Sequence, residues 1–468
     1  LPAPGVFQYI YGGRTETCLG LERRPMKNGE YWNPILETLP PEKLRQLQLK
    51  KFREIFTWAY EHSRFYRKLY GDAGLEPGDI KTYDDIRRVP KVEKSMMREV
   101  QGPGKDPFPY GDILSVPLEE VTEYHQTSGT TGQPVYQADT WQDWEWGAEA
   151  FAYALYAQGY RNTDRLFLPF GYNIFIAFWG AHYAAEKLGC EVIPGGVLNT
   201  EARILKMQEL RATAMGATPT YVLGMAETAR KIGIDPPKDL FIRKITVAGE
   251  PGGSIPATRK RMEEAWGAKV YDQVGSTEIG HWGWECRQQA GLHVNEALFL
   301  VEIEDVDTGE PITGPGKRGK MVVTTFNRLA QPCIRFDVKD LIQWNSQPCD
   351  CGRTYRLLEG GLMGRADDIT KVKGVLLSPA AIEEVVRAIP QLGDEYYVVV
   401  TKKGDIDDIT LKVEILPEHA GDADAIRTTL TDQLRLKTNL GYHIEFHEFG
   451  SLPRSQAKTR RFQDLRPH

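Results

Sequence analysis

Between Thr127 and Pro134 the chain reads Thr-Ser-Gly-Thr-Thr-Gly-Gln-Pro, a run in which hydroxyls alternate with glycines. Glycine lets a backbone close around an anion, while hydroxyl and free N–H groups donate to its oxygens. Ser128, Gly129, Thr130, Thr131 and Gly132 are therefore candidates for phosphate binding. No Gly-Lys-Ser/Thr follows, which separates this loop from that of ordinary P-loop ATPases. A second set is built from sulfur and imidazole: Cys286 and His293, then Cys349 and Cys351, the last followed by Gly352, which permits a tight turn. Three thiolates and one imidazole suit tetrahedral Zn²⁺. Such a closed set leaves no position for a reacting water, so the expected role is structural, tying two loops of a β subdomain together.

These groups need rigid elements to hold them, and 468 residues are enough for two or three domains of ordinary size. Within 41–72, Leu44, Leu47, Phe52, Phe56, Ala59 and Tyr60 recur at helical spacing, the pattern of helices that lay one stripe on a core. From about 164 onward, short apolar runs at 165–170, 191–194, 244–248 and 269–271 alternate with helical stretches, a rhythm that predicts βαβ units and a parallel sheet. After about 293 the texture is that of a small β subdomain, with strands at 297–304 and 319–325 and turns at Asp307-Thr-Gly309 and Gly314-Pro-Gly316. Beyond 367, helices at 380–388 and 423–436 and strands at 396–402 and 408–414 predict a separate α+β domain. The expected class is α/β: a large N-terminal domain over 1–366, with mixed and parallel sheets and the β subdomain at 293–366, and a small α+β domain over 367–468.

Composition narrows the partners. With 58 basic against 64 acidic residues the formal charge is −6, so no basic field draws phosphate backbones to the surface, and nucleic acid is an unexpected partner. No run reaches the roughly 20 apolar residues that span a bilayer. The first residues carry no basic start or apolar stretch of a secretory signal, and six cysteines are too few for a disulfide scaffold. A cytoplasmic protein free of the membrane is expected.

The Thr127–Pro134 run resembles the Thr-Ser-Gly-Thr-Thr-Gly-x-Pro loop of the adenylate-forming superfamily, and further matches follow in the family's order. Phe170-Gly-Tyr-Asn173 with Gly180-Ala-His-Tyr-Ala-Ala-Glu-Lys-Leu-Gly-Cys190 resembles the phenylacetate-CoA ligase branch in particular. Next come Ala248-Gly-Glu-Pro-Gly-Gly253, Tyr271-Asp-Gln-Val-Gly-Ser-Thr-Glu278, Ile334-Arg-Phe-Asp-Val-Lys-Asp340 and Gly364-Arg-Ala-Asp-Asp368. The last is Leu452-Pro-Arg-Ser-Gln-Ala-Lys458-Thr-Arg-Arg461. Three positions depart from the family pattern: Val274 where an aromatic usually stacks, and Lys339 and Ala457 where glycines are usual.

The resemblance implies an ATP-dependent acyl-CoA ligase, with a mobile C-terminal domain, that makes an acyl-AMP from a small, aromatic, phenylacetate-like acid and passes the acyl group to CoA. It assigns the adenine turn to Gly249, Glu250 and Pro251, the amino-group acceptor to Asp272 and the ribose to Asp340, with Arg365 on the nucleotide. Gly275 and Ser276 lead to Thr277 on the α-phosphate and Glu278 on Mg²⁺. Tyr172, Phe175, Phe178 and Trp179 would line the acid's pocket, Asp367 would be the hinge, and Lys458 the catalytic lysine. The branch also implies a homodimer. The alternative within it is an adenylyltransferase that adenylates a cofactor without CoA. A zinc-bearing interaction module is a third reading, which the acidic balance and the ordered nucleotide motifs oppose.

Overall fold

The computed structural model describes residues 29–127, 133–366, 370–373, 375–377, 379–403, 406–453 and 461–466, with the backbone of 10–11 and 14–15. Ser128, Gly129, Thr130, Thr131, Gly132, Asp367 and Lys458 lie outside the described residues.

Helix α1 (Pro41–His62) opens with proline at its first turn and buries Leu44, Phe52, Ile55, Phe56 and Ala59 along one stripe. Ser63 ends it and starts α2 (Arg64–Asp72), its hydroxyl accepting from the Tyr66 N–H. A short α3 (Lys94–Val100) follows. Strands β1 (Val121–Gln126) and β2 (Tyr136–Thr140) pair antiparallel, so the ends of the Ser/Thr/Gly run are held side by side. Helix α4 (Trp141–Ala157) starts on a reciprocal cap between Thr140 and Asp143 and is buried on nearly every face from Ala150 to Ala157.

The alternating rhythm that follows is a βαβ sheet. Its parallel strands are β3 (Arg165–Leu168), β4 (Glu191–Pro194), β5 (Ala214–Ala217), β6 (Lys244–Val247) and β7 (Lys269–Ser276). Between them run α5 (Ile176–Lys187), α6 (Thr200–Glu209), α7 (Pro219–Lys231) and α8 (Pro256–Trp266). Antiparallel β8 (Gly280–Trp284) and β9 (Leu292–Val294) then extend the sheet. Strands β10 (Phe299–Glu304), β11 (Arg318–Thr325) and β12 (Phe336–Gln343) form a separate antiparallel sheet, and β13 (Leu357–Leu358) returns to the large one. The large sheet has the order β13-β9-β8-β7-β6-β5-β3-β4. The chain leaves β3 for β4 on one side and returns to β5 on the other, and ligands of α/β sheets bind at the carboxyl ends of strands where the order reverses in this way.

Two expectations change. The strand expected at 269–271 runs on to Ser276, because its polar residues Asp272 and Gln273 are buried between neighbouring elements rather than solvated. The three-stranded sheet spans only Phe299 to Gln343; Leu292–Val294 and Leu357–Leu358 belong to the large sheet instead.

From 370 onward the chain closes a core of its own. Strands β14 (Thr370–Val372) and β15 (Val375–Leu377) pair, and β16 (Leu392–Lys403) and β17 (Ile406–Ile415) form a long hairpin flanked in parallel by β18 (His443–Glu448) and β19 (Phe462–Asp464). Helices α9 (Pro379–Ala388) and α10 (Ala423–Thr438) cover it with Ile382, Val386, Ile426, Leu430 and Leu434. Burying an aliphatic side chain contributes about 1.5–3 kcal/mol, so these five alone hold the helices firmly on the sheet.

Candidate active site

The carboxyl ends of β3, β6 and β7 lead into several of the sequence-predicted groups: Tyr172 after β3, Gly249, Glu250 and Pro251 after β6, and Thr277 and Glu278 after β7. Thr127 clasps the far end of the phosphate loop: its N–H donates to the Val135 carbonyl at 3.1 Å and its hydroxyl accepts from the Val135 N–H at 3.0 Å. At the end of β7 the chain turns through Thr277 and Glu278 into β8. A Cβ on Gly275 would lie 2.8 Å from the Gly280 carbonyl oxygen, so only glycine lets the two strands approach so closely.

The turn is locked from behind by a residue 50 positions away. Arg328, with only 2% of its side chain exposed, donates from Nη1 to the carbonyls of Thr277 (3.1 Å) and Glu278 (2.8 Å). Its Nε and Nη2 form a two-pronged pair with Asp139 of β2, both at 2.7 Å. This pair links the β1–β2 hairpin to the Thr277–Glu278 turn. The Glu278 carboxylate lies 2.6 Å from Lys94 Nζ at the start of α3. Burial alone would raise the Glu278 pKa, but the Lys94 ammonium and hydrogen bonds outweigh it and hold the group below the usual carboxylate range. Glu278 is therefore an ionised carboxylate, a group that suits a hard cation such as Mg²⁺.

Several of the residues expected to hold a nucleotide follow β6 or lie on β7. In the turn after β6, Gly249 has φ +92°, and the Glu250 carboxylate accepts from the Thr220 N–H at 2.7 Å at the start of α7, ahead of Pro251. Asp272 pairs in register with Val247, and its carboxylate accepts from Ser254 Oγ at 2.5 Å. Burial pushes Asp272 above the usual carboxylate range. A Cβ on Gly253 would fall 2.6 Å from the Asp272 carboxyl carbon, so the turn needs glycine there. Glu285 holds Asp272 from behind, accepting its N–H at 2.8 Å while paired with Arg259 at 2.5 Å. Asp340 and Arg365 face each other across a β-bridge, Oδ1 to Nη1 3.2 Å. Lys339, standing where the family has glycine, adopts φ +67°, and its Nζ is anchored on Asp337 at 2.9 Å.

Aromatic rings gather where the strand order reverses. Phe170 stacks on Phe178 at 4.7 Å and meets Tyr221 at 4.8 Å; Tyr172 meets Trp179 edge-on at 5.0 Å. The Tyr172 hydroxyl bonds His182 Nδ1 at 2.9 Å, and the Trp179 indole N–H donates to the Asn173 carbonyl at 2.7 Å. Of the four predicted pocket residues the structure brings Tyr172, Phe178 and Trp179 together. Phe175 precedes α5 and is 41% exposed, outside this set.

The stretch that contains Lys458 is anchored at both ends. Tyr397 donates to the Pro453 carbonyl at 3.0 Å, and Leu452 N–H donates to Glu414 at 2.8 Å. On the other side Arg461, buried, donates to Thr220 Oγ1 at 2.8 Å and pairs with Glu395 at 3.3 Å, with Glu250 at 3.9 Å. Arg461 thus ties the C-terminal core to Thr220 and to Glu250 in the turn after β6.

Cys286, His293, Cys349 and Cys351 converge, with their ligand atoms within 4.8 Å of one another. Cys286 Sγ lies 3.6 Å from Cys349 Sγ, and Cys351 Sγ 3.4 Å from His293 Nε2. Tetrahedral Zn²⁺ with bonds of about 2.3 Å to sulfur would put its ligands roughly 3.5–3.8 Å apart, so the set fits that ion. The hydrogen bond from Cys286 and the neighbouring His293 hold the Cys351 thiol well below its ordinary pKa. Gly352 turns at φ +79° and leaves room for the Tyr31 hydroxyl, which donates to the Cys351 carbonyl at 2.9 Å. The cluster joins the β8–β9 edge of the large sheet to the loop between β12 and β13. The expected link between two loops of a β subdomain is corrected, because His293 sits on β9, which pairs into the large sheet.

The glycine turn after β6 and the buried Glu278 after β7 stand at the carboxyl edge of one parallel sheet. Residues 374–466 match the AMP-binding enzyme C-terminal domain family. The chain is 34% identical over 455 residues to the phenylacetate-coenzyme A ligase of Thermus thermophilus, covering 93% of this chain and 99% of that protein. A 2-hydroxyisobutyryl-CoA ligase solved in the postadenylation state with an acyl-AMP superimposes with TM-score 0.88 at 28% identity over 94% of both chains. The same enzyme in its thioesterification state with CoA gives 0.71 at 30% identity, over 95% of this chain and 94% of that one. The protein belongs to the phenylacetate-CoA ligase branch of the adenylate-forming superfamily and is an ATP-dependent, AMP-forming acid–CoA ligase that works through an acyl-AMP. The CoA-independent adenylyltransferase reading is not favoured. No described helix is long and apolar enough to cross a membrane.

Sequence reasoning missed Lys94, Arg328 with Asp139, and Tyr221. Their partners lie 184, 189 and 51 residues away or belong to another strand end, and no local pattern announces such pairings.

Proposed function

We propose that the acid activated by this ligase is small and aromatic, phenylacetate-like, and that it binds between α5 and the Thr277–Glu278 turn. The observation that carries this reading is the aromatic set of Phe170, Tyr172, Phe178, Trp179 and Tyr221 at the reversal of strand order.

The acid's carboxylate attacks the α-phosphorus of ATP; an acyl–phosphate bond forms as the bond to pyrophosphate breaks. Residues 128–132 and Thr277 donate to phosphate oxygens, and Lys458 neutralises charge at the α-phosphate. Mg²⁺, held through Glu278, supplies further neutralisation on the phosphates. Adenine lies on the 249–253 turn with its amino group donating to Asp272, Asp340 accepts from the ribose hydroxyls, and Arg365 stands beside it. The 367–468 unit then turns about Asp367 relative to 1–366, withdrawing Lys458. The CoA sulfur attacks the acyl carbonyl and AMP leaves. Cys286, His293, Cys349 and Cys351 would hold Zn²⁺ as a structural brace.

A second reading, a short aliphatic acid, is favoured by the contact of Phe178 on Phe170, which narrows the space between the rings. Thioester formation measured with arylacetic, benzoic and branched aliphatic acids separates the two. A kcat/KM at least tenfold higher for arylacetic acids supports the aromatic reading, and the reverse order overturns it.

A further inference from the structure

His281, on β8 three residues beyond Glu278, is 8% exposed, and neither ring nitrogen has a hydrogen-bond partner among the described residues. A buried polar ring left unpaired is unfavourable, so its placement calls for a partner. The ring is aimed deliberately. The β7–β8 register shifts between His281 and Gly283, and such bulges redirect a side chain. Phe151 of α4 packs against one face with centroids 3.8 Å apart. On α5 the position nearest Nε2 is Gly180, where a Cβ would come 2.9 Å from His281 Nε2. A cavity of about 20 Å³, the room of one hydroxyl-sized group, opens here between α4, α5 and β8. Trp144 and Trp146 line it as well, and their indole N–H groups are also buried without a partner among the described residues. Burial and the nearby Arg328 guanidinium push the His281 pKa down to about 3, so the ring is neutral and offers one donor and one acceptor. Arg328, Asp139 and Asp143, the charged groups on the cavity wall, are engaged elsewhere.

We infer that His281 is a specificity-determining residue for the acid, and that the preferred acid carries a hydroxyl that enters this cavity. A hydroxyl both accepts from an indole or imidazole N–H and donates to the free imidazole nitrogen, which a ring carbon cannot do. This rests on the acid-site reading above, since the cavity is walled by Ile176 and Gly180 of the helix that also bears Phe178 and Trp179, and by Gly280 and His281, which follow the Thr277–Glu278 turn in sequence. The hydroxyl has two sources, an aryl ring or the carbon next to the carboxyl.

The test compares phenylacetate with 3- and 4-hydroxyphenylacetate for the ring hydroxyl, and with mandelate for the α-hydroxyl. Thioester formation gives kcat/KM, and calorimetry gives binding without turnover. The wild-type enzyme is expected to favour one hydroxylated acid at least tenfold, and which one identifies the source. His281→Phe should lower kcat/KM for that acid by roughly tenfold to a hundredfold and leave phenylacetate within about threefold, with His281→Gln recovering part of the loss. Gly180→Ala, which favours the helix yet crowds Nε2, should also erase the preference. Equal kcat/KM for hydroxylated and plain acids in the wild type, or equal losses on both in the variants, overturns the assignment. Absence of binding and turnover with every acid in the wild type overturns the acid site itself, and the role of His281 with it.

Discussion

Replacing Arg328 by lysine keeps a buried cation opposite Asp139 but removes the fork. Arg328 spends four short contacts, two on Asp139 at 2.7 Å and two on the carbonyls of Thr277 and Glu278 at 3.1 and 2.8 Å. One ammonium cannot reach both the carboxylate and the turn, so at least two contacts are lost. Hydrogen bonds to a charged group contribute about 1.5–3 kcal/mol each, and a broken buried pair costs about 3–5 kcal/mol. With the charge retained, the loss in unfolding free energy should be about 3 kcal/mol, read by urea denaturation. The released turn carries Thr277 and Glu278, and a displacement of about 1 Å in positioned groups costs roughly a hundredfold in rate. Single-turnover formation of acyl-AMP should therefore slow by roughly tenfold to a hundredfold, while the KM for the acid changes little. Arg328→Lys with stability within 1 kcal/mol of wild type and a rate within about threefold would refute the idea that this pair positions the turn.

Lys94→Met removes the cation that keeps Glu278 ionised while leaving it buried, so the Glu278 pKa should rise. In the wild type, the stability linked to this lowered pKa is present above the ordinary glutamate value and disappears as pH falls through the folded value. The acid limb of the adenylation rate should accordingly move to higher pH in Lys94→Met, and an unchanged limb counts against the pairing. Arg461→Ala should slow acyl-AMP formation about tenfold by freeing the C-terminal unit from Thr220 and Glu250, yet spare thioester formation from supplied acyl-AMP; equal losses would contradict this. Elemental analysis should find about one zinc per chain. Cys349→Ser with Cys351→Ser should abolish it and lower the melting temperature, and a metal-free protein of unchanged stability would remove the structural role.

The parallel sheet was legible because its strands are short apolar runs buried on both faces, such as 166–168 and 245–247. Strand β7 was cut short at Tyr271 since Asp272 and Gln273 look solvated by type, though both are buried beside Ser254 and Glu285. Helix α4 was not read at all, because Ala150 to Ala157 are buried all round and leave no amphipathic period. Helices α9 and α10, half buried and half solvated, were placed within two residues of their ends. At the site, the sequence singled out by residue type the Cys286, His293, Cys349 and Cys351 set that the fold brings together, the glycine turn, Asp272 and Glu278. What positions them was not. Arg328 reads as one arginine among many until folding sets it against Asp139, and His281 gives no sign in sequence that a bulge turns it toward Gly180.

The central claim is that this cleft makes an acyl-AMP before CoA takes part. Acid-dependent exchange of labelled pyrophosphate into ATP, measured without CoA, tests it most directly. The account predicts exchange that requires both an arylacetic acid and Mg²⁺ and is lost in Lys458→Ala. Exchange independent of the acid, or undiminished in Lys458→Ala, would contradict it.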